Sequence, residues 1–335
     1  MRPARAHPET PIEIGLAAAV VAVDAGTPRI LMARTDADGL GGLPSGSFDP
    51  LRHRTLEIGL RDFVSEQTGL SLGYVEQLYT FGDRGRNAMP GDEVPHVVSI
   101  GYLALTRVGS GGSGAPKGAR FRGWYEFYPW EDWRGGRPLI LERAIWPALA
   151  EWASDRDAEA AEGARRPLSR FERVRLCFGF NPRSGDAEVW DEEKVLERYE
   201  LLYEAGLLEE ARRDGREAAL ARPSLPPLGE PMRFDHRRIL ATAMGRLRGK
   251  LKYRPVVFEL LPSAFTLTTL QQTVEAISGR HLHKQNFRRL VESTALVEST
   301  GEMVNTGGRP AAQFRFRREV VQERPAPGLR LGARG

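Results

Sequence analysis

The side chains best suited to chemistry with a partner crowd into one short segment near the carboxyl end, Arg280-His-Leu-His-Lys-Gln-Asn-Phe-Arg-Arg-Leu290. A helix from about His283 to Ser293 would turn Leu282, Phe287 and Leu290 to one side. Lys284, Gln285, Arg288 and Arg289 would fall on the other side, with Asn286 near the boundary. This is the chemistry of nucleic-acid contact: Arg pairs with guanine edges, Asn and Gln with adenine, Lys with phosphate. A recognition helix uses mostly its N-terminal half, so Lys284, Gln285 and Arg288 lead the candidates. His281 and His283 have no thiol or carboxylate beside them in sequence. They read as surface or phosphate contacts rather than metal ligands.

Several elements must hold that helix in place. Phe265-Thr-Leu-Thr-Thr-Leu-Gln-Gln-Thr-Val-Glu-Ala-Ile-Ser-Gly279 predicts a preceding helix over Leu267 to Ile277, capped by Thr266 and ended by Gly279. Leu267, Leu270, Val274 and Ile277 give it an apolar face, and Thr268 in its first turn joins the candidate DNA contacts. Short strands near Leu296 to Ser299 and Gln313 to Arg317 flank a polar, glycine-rich stretch from Thr300 to Pro310. That is the pattern of a wing, with Arg309 at its tip. A further helix, capped by Asp235, should run to about Leu251. The whole is a winged helix-turn-helix over residues 233–318.

Charge supports a division of labour. The net charge of +4 conceals 16 Lys/Arg against 6 Asp/Glu between Arg233 and Arg318. That module carries +10, the last 17 residues +1, and the first 232 residues −7. A basic module releases counterions from nucleic acid and an acidic one does not. Hydrophobic content of 41% suits folded domains, and 335 residues exceed one ordinary core. No apolar run reaches bilayer length, and the early apolar stretch Ile14 to Val23 lacks the basic flank of a signal peptide. The single cysteine, Cys177, excludes an internal disulfide and a cysteine-based zinc cage. These features fit a cytoplasmic protein.

Residues 1–10 and 319–335 read as flexible tails. Between residues 11 and 137, strands are expected at Glu13 to Asp24, Arg29 to Ala33, Tyr74 to Phe81, Val97 to Thr106 and Phe121 to Tyr128. Residues 109–116, rich in Gly and Ser, read as a flexible connection. Residues 138–221 form a helical extension of unknown role. Leu139 to Ala153 is amphipathic, Asp155 to Arg166 is charged and alanine-rich, and Asp191 should cap a helix through Glu204. Residues 222–232, rich in proline, read as a stiff linker.

The front module carries a second motif. Leu43-Pro-Ser-Gly-Ser-Phe-Asp-Pro50 followed by Leu56-Glu-Ile-Gly-Leu-Arg-Asp-Phe-Val-Ser-Glu-Gln-Thr-Gly-Leu70 resembles the Nudix box. In that family a loop-helix-loop places glutamates on a divalent metal bound to a nucleoside diphosphate. Aligned on Glu66-Gln-Thr-Gly-Leu70, the motif arginine becomes Asp62, its first helix glutamate Phe63 and its last Gln67. Only Glu66 survives, and the loop from Gly46 to Asp62 is two residues longer than the pattern. Mg²⁺ takes several oxygen ligands, so one carboxylate at the motif positions makes a poor cage. Asp62 or Glu57 would substitute only in a shifted register. No metal or catalytic residue is therefore expected, and what remains is a nucleotide cradle.

The chain as a whole resembles the Nudix-related transcriptional regulators of NAD metabolism, the NrtR family, and more closely its larger NadQ-type members. The resemblance covers residues 11–108 and 233–318. Its more specific marks are the helix from Asp235 to Leu251, Phe258-Glu-Leu-Leu-Pro262, Asn286-Phe-Arg-Arg289 and Gly308-Arg-Pro310. It implies an α+β protein: a Nudix-like α/β/α sandwich with a helical insertion, then a C-terminal winged helix-turn-helix. It also implies a homodimer repressing NAD synthesis or salvage genes from a palindromic operator. The effector would be an adenine nucleotide such as ADP-ribose, NAD or ATP. Arg84 and Arg86 occupy the family's arginine-containing loop beside the pocket and, like Arg34, suit a diphosphate. Gly46, Glu66 and Trp124 complete the candidate effector contacts, Trp124 as a stacking platform for adenine. The alternative is a Nudix-type hydrolase with an accessory nucleic-acid-binding domain.

Overall fold

The structure is a computed structural model. It describes all residues except 1–11, 34–38, 84–95, 108–117, 156–166, 182–183, 186–188, 306–309, 324–327 and 330–335. The glycine–serine connection and the candidates Arg34, Arg84, Arg86 and Arg309 lie outside the described residues.

Alternation in the sequence builds one mixed sheet. β1 (Ile12–Asp24) pairs antiparallel with β2 (Thr27–Met32) and with the short β3 (Ser45–Ser47). After α1 (Leu56–Thr68) come β4 (Val75–Phe81), β5 (His96–Leu105) and β6 (Arg120–Gly123). The sheet order is β4-β5-β1-β2-β6, with β3 also on β1 and β5 running parallel to β1. Leu16 through Ala22 are buried without interruption, as expected for a strand covered on both faces. Successive residues supply opposite cores. Leu16, Ala18 and Val20 pack with Leu60 and Val64 of α1, whereas Ala17, Ala19 and Val21 join a second, larger cluster.

That larger cluster runs from the sheet to the carboxyl end. It takes in α2 (Trp146–Ser154), α3 (Arg170–Phe178), α4 (Val195–Glu204) and α5 (His236–Tyr253). It also includes Leu270, Val274 and Ile277 of α6 (Leu267–Ser278) and Phe287 and Val291 of α7 (Lys284–Thr294). A two-stranded wing, β7 (Val297–Val304) and β8 (Ala311–Phe316), completes the fold. Helix α5 lies against β1, β4, β5 and α4 as well as α6. It is therefore shared by the front module and the winged helix.

Three expectations need correction. The strand expected to Tyr128 stops at Gly123, and two 3-10 turns follow at Trp124–Glu126 and Pro129–Glu131. They let Trp124, Phe127, Tyr128 and Trp130 all point into the core, which strand alternation forbids. Asp191 is not the cap of α4, whose N-cap residue is Lys194. Asp191 instead closes a local turn, its carboxylate accepting from the Glu193 amide at 3.0 Å. Residues 222–232 are not a free linker. Leu228 and Met232 are buried, the Met232 amide donates to Glu210 Oε1 at 3.0 Å, and Glu230 pairs with Arg122 at 2.8 Å. Gly229 adopts φ 71°, and a Cβ there would lie 2.5 Å from the Phe127 carbonyl oxygen. The segment is a strap held by isolated side chains, a pattern with no periodicity to read.

Charged groups inside this core are matched. Glu131 accepts from Arg198 at 2.6 and 2.9 Å and from Arg248 at 2.6 Å, and all three side chains are fully buried. Arg248 also donates to the carbonyls of Ile277 and Glu192. A second buried pair joins Arg237 and Glu210 at 3.2 Å. Burial alone pushes the Glu131 carboxyl up, but the two guanidiniums outweigh it and hold it below its ordinary value. A carboxylate with a depressed folded pKa stabilises the fold above its unfolded value and stops doing so as pH falls through the folded value. Glu131→Gln should cost about 3–5 kcal/mol, because it leaves two buried guanidiniums short of a counter-charge. Urea unfolding at neutral pH measures that loss. The variant should also lose the part of the native protein's expected acid sensitivity below pH 4.5 that Glu131 contributes.

Candidate functional site

Helix α7 is presented by a turn built from part-buried hydrogen bonds. Thr266 caps α6 through the Thr269 amide at 3.1 Å, and Gly279 ends the helix at φ 72°. Glu275 then organises the turn into α7. Its Oε1 accepts from the Leu282 amide at 2.8 Å and from Gln271 Nε2 at 2.9 Å, and lies 3.1 Å from His281 Nδ1. Gln271 also donates to the Leu282 carbonyl at 2.8 Å. Sequence reasoning missed both residues, since an acid and an amide inside an amphipathic helix resemble solvated side chains. The carboxylate beside His281 was invisible for the same reason. One Glu and one His do not make a metal site, and the described residues contain no cluster of three or more metal-ligating side chains.

In α7, Phe287 and Val291 are buried while Leu282 and Leu290 are half-buried, so the apolar seam falls where periodicity placed it. Lys284, Gln285, Asn286, Arg288 and Arg289 are all exposed, as is Thr268 at the start of α6. Arg289 donates to Asn286 Oδ1 at 3.0 Å, which groups a guanidinium and an amide on one surface. Lys284 and Arg288 form no ion pair among the described residues. Phe265 is anchored to Phe314 by reciprocal backbone bonds of 2.9 and 2.8 Å, and Phe258 stacks on Phe316 at 4.3 Å. The wing is thereby fixed to the helical unit.

The Nudix-like box folds as a loop and helix without a metal cage. α1 starts at Thr55, whose hydroxyl accepts from the Ile58 amide, and ends at Gly69 with φ 72°. Phe63 stands against Gly46, and Gln67 donates to the Ser45 carbonyl at 2.8 Å. These two contacts occupy positions where the motif has carboxylates. The remaining acids diverge: Glu57 pairs with Arg61 at 2.9 Å, Asp62 with His53 at 3.5 Å, and Glu66 faces Arg52 at 4.0 Å. Among the described residues these carboxylates do not gather at one point.

Beside Gly46 lies a cleft of about 190 Å³, lined by Glu13, Gly15, Leu16, Ala17, Ser45, Ser47, Val97 and Ser99 from the sheet and by Phe234 and His236. Of the expected effector contacts, Gly46 lines it. Glu66 lies outside it, 68% exposed on α1. Trp124 is fully buried among core residues, so its ring offers no face to a ligand. An aromatic that looks like a strand residue packs inward once the chain turns at Gly123. Sequence reasoning missed His236 and Phe234, which sit at the junction with α5. His236 Nδ1 accepts from the Leu43 amide at 3.0 Å, and a Cβ on Gly42 would lie 2.6 Å from that nitrogen.

Residues 257–316 match the family model described as the NrtR DNA-binding winged helix domain. This stretch is an NrtR-type winged helix. The ADPR responsive transcriptional repressor NtrR of Acinetobacter baylyi is 41% identical to the chain over 83 residues, 25% of this chain. The chain spans about a third (33%) of the length of that curated relative. The fold as a whole is similar to Shewanella oneidensis NrtR complexed with a 27mer DNA, with a TM-score of 0.51 at 19% identity over 92% of this chain and 95% of that one. It is similar to a MutT/nudix family protein from Enterococcus faecalis, with a TM-score of 0.50 at 16% identity over 93% and 88% of the two chains. The architecture is thus a mixed α/β protein, with a Nudix-type fold in front and an NrtR-type winged helix behind. No helix among the described residues is long and apolar enough to cross a membrane.

Burial, reinforced by Arg233 and Arg213, lowers the His236 imidazole from 6.5 to about 3. The unfolded chain takes up this proton below pH 6.5 and the folded one refuses it until about 3, so stability falls as pH drops through that window. His236→Gln keeps an acceptor for the Leu43 amide and removes the titration. Urea midpoints compared at pH 7.5 and pH 5 should converge in the variant and diverge in the native protein.

Proposed function

We propose that this chain is a transcriptional repressor that binds DNA through α7 and its wing and responds to ADP-ribose held in the front module. The observation that carries the reading is the exposed set Lys284, Gln285, Asn286, Arg288 and Arg289, set on a helix that Phe287 and Val291 fix to an NrtR-type winged helix. The Arg and Lys neutralise phosphates, and the amides and guanidiniums read base edges. ADP-ribose leads NAD and ATP as the effector because the curated relative is described as ADPR responsive. The regulated genes are those of NAD synthesis or salvage. The protein acts in the cytoplasm as a homodimer on a palindromic operator, its two recognition helices about one DNA turn, ~34 Å, apart.

The front module binds its nucleotide without hydrolysing it. Phe63 and Gln67 stand where metal-binding carboxylates would be needed, and the remaining acids of α1 are directed to separate basic partners. Incubation of the protein with ADP-ribose and Mg²⁺ should release no AMP, and steady turnover would remove this part of the proposal.

A shift assay on promoter DNA of NAD genes, titrated with ADP-ribose, NAD and ATP, tests the regulatory reading. Lys284→Ala combined with Arg288→Ala should weaken DNA binding at least tenfold. It should also reduce the slope of log affinity against log salt by about 2, since each lost phosphate contact removes ~0.9. Unchanged affinity and slope would reassign α7 to protein contacts.

A further inference from the structure

The turn between α6 and α7 contains an acid served mostly by neutral donors. Glu275 is 13% exposed, and its Oε1 accepts from the Leu282 amide at 2.8 Å and from Gln271 Nε2 at 2.9 Å. Its third partner is His281 Nδ1 at 3.1 Å. Two arginines packed around the turn have acids of their own. Arg280 lies 3.7 Å from Glu192, and Arg134, within electrostatic reach of Glu275, donates to Asp132 at 2.8 Å. An ionised carboxylate only accepts, so the proton in the His281 contact sits on Nδ1. That fixes the tautomer. In the neutral ring Nε2 then carries a lone pair, and in the charged ring it carries a second N–H. His281 is 73% exposed, which leaves the far edge of the ring to solvent.

The chain passes from His281 directly into α7, whose first turn is open. His283 stands at the N-cap, but its side chain makes no capping bond. The amides of Lys284, Gln285 and Asn286 have no protein acceptor among the described residues. An uncapped helix start offers these N–H groups to a phosphate. Resting on the DNA-binding reading above, we infer that His281 is a proton-linked contact to a DNA phosphate at the entry to α7, with Glu275 as its positioning residue. A neutral His281 turns a lone pair towards phosphate oxygens, which also only accept. The charged ring donates from both nitrogens, Nδ1 to Glu275 and Nε2 to the phosphate, and so bridges two anions. DNA binding therefore takes up a proton, and affinity rises as pH falls through the ~5–8 range in which imidazoles change charge. Lys284, Arg280 and Arg134 keep their charge throughout that range. His283 has no carboxylate partner among the described residues, and His236, held neutral down to about 3, adds nothing.

Fluorescence anisotropy of the full chain on duplex promoter DNA of NAD genes, at about pH 8.5 and about pH 6 and several salt concentrations, tests this. Native affinity should rise about tenfold on acidification, the effect of gaining one charge-assisted hydrogen bond. The slope of log affinity against log salt should steepen by ~0.9, one phosphate contact. His281→Gln should match the native protein at the higher pH and show neither change. His281→Arg, a permanent cation, should bind tightly at both pH values, and His283→Gln should keep the native response. A change confined to folding weakens binding at both pH values alike and adds no salt dependence. Glu275→Gln keeps an acceptor for the Leu282 amide but no longer fixes the imidazole, so its gain on acidification should shrink whatever its affinity at the higher pH. Native affinity that is equal at the two pH values, a rise that survives in His281→Gln, or an undiminished rise in Glu275→Gln would overturn the inference and leave the DNA-binding reading standing. A native protein that bound no duplex at either pH would remove both.

Discussion

A single carboxylate, Glu131, holds apart and at the same time joins the pieces of this protein. It sits fully buried between Arg198 of α4 and Arg248 of α5. Taking three charges out of water costs several kcal/mol for each ion, and such a group survives only if every donor is matched. Here the surplus guanidinium protons go to the carbonyls of Cys177, Asp191, Glu192 and Ile277. Segments far apart in sequence thereby converge on one point. The close approach also dictates Gly279: a Cβ there would lie 2.4 Å from the Glu131 carbonyl oxygen, and the position already requires a positive φ. The glycine that ends the first helix of the helix-turn-helix is thus also the residue that lets this motif dock on the front module.

The contrast with α7 is one of solvation. Inside, Glu131 and Glu210 are matched to arginines that cannot reach water. On the recognition helix, Lys284 and Arg288 remain hydrated and form no ion pair among the described residues. A charge in water retains its hydration until phosphate displaces the counterions, so the surface is available to DNA without a prior internal contact to break. The proposed role needs both rigidity in the core and freedom at the surface, because a base-reading helix must be aimed before its side chains can select.

The helix-turn-helix was legible because its signals are local. Thr266, the heptad-like spacing of Leu270, Val274 and Ile277, and Gly279 each act within a turn or two of chain, and all were found where expected. The same holds for Gly69 at the end of α1. Trp124, Asp191 and residues 222–232 were misread because their roles are set by distant partners. Trp124 is buried by turns that come after Gly123, and the proline-rich strap is held by Phe127, Arg122 and Glu210, none adjacent in sequence. The winged-helix boundary at residue 233 marks a change in composition more than a change in structure, since α5 packs on the sheet as much as on α6. The Nudix-like departures at Phe63 and Gln67 were visible as letters. Their consequence was not: the ring packs against Gly46 and the amide ties the helix to the Ser45 carbonyl.

Those two residues bear on the proposed sensing role. A site that hydrolyses its ligand reports the balance between supply and turnover, whereas a site that only binds reports concentration. In this chain Gln67 and Phe63 tie the loop at Ser45 and Gly46 to α1 through the protein's own contacts. The opposite wall of the cleft is the entry to α5. The helix entered there carries Arg248, which donates to the Ile277 carbonyl at the end of α6.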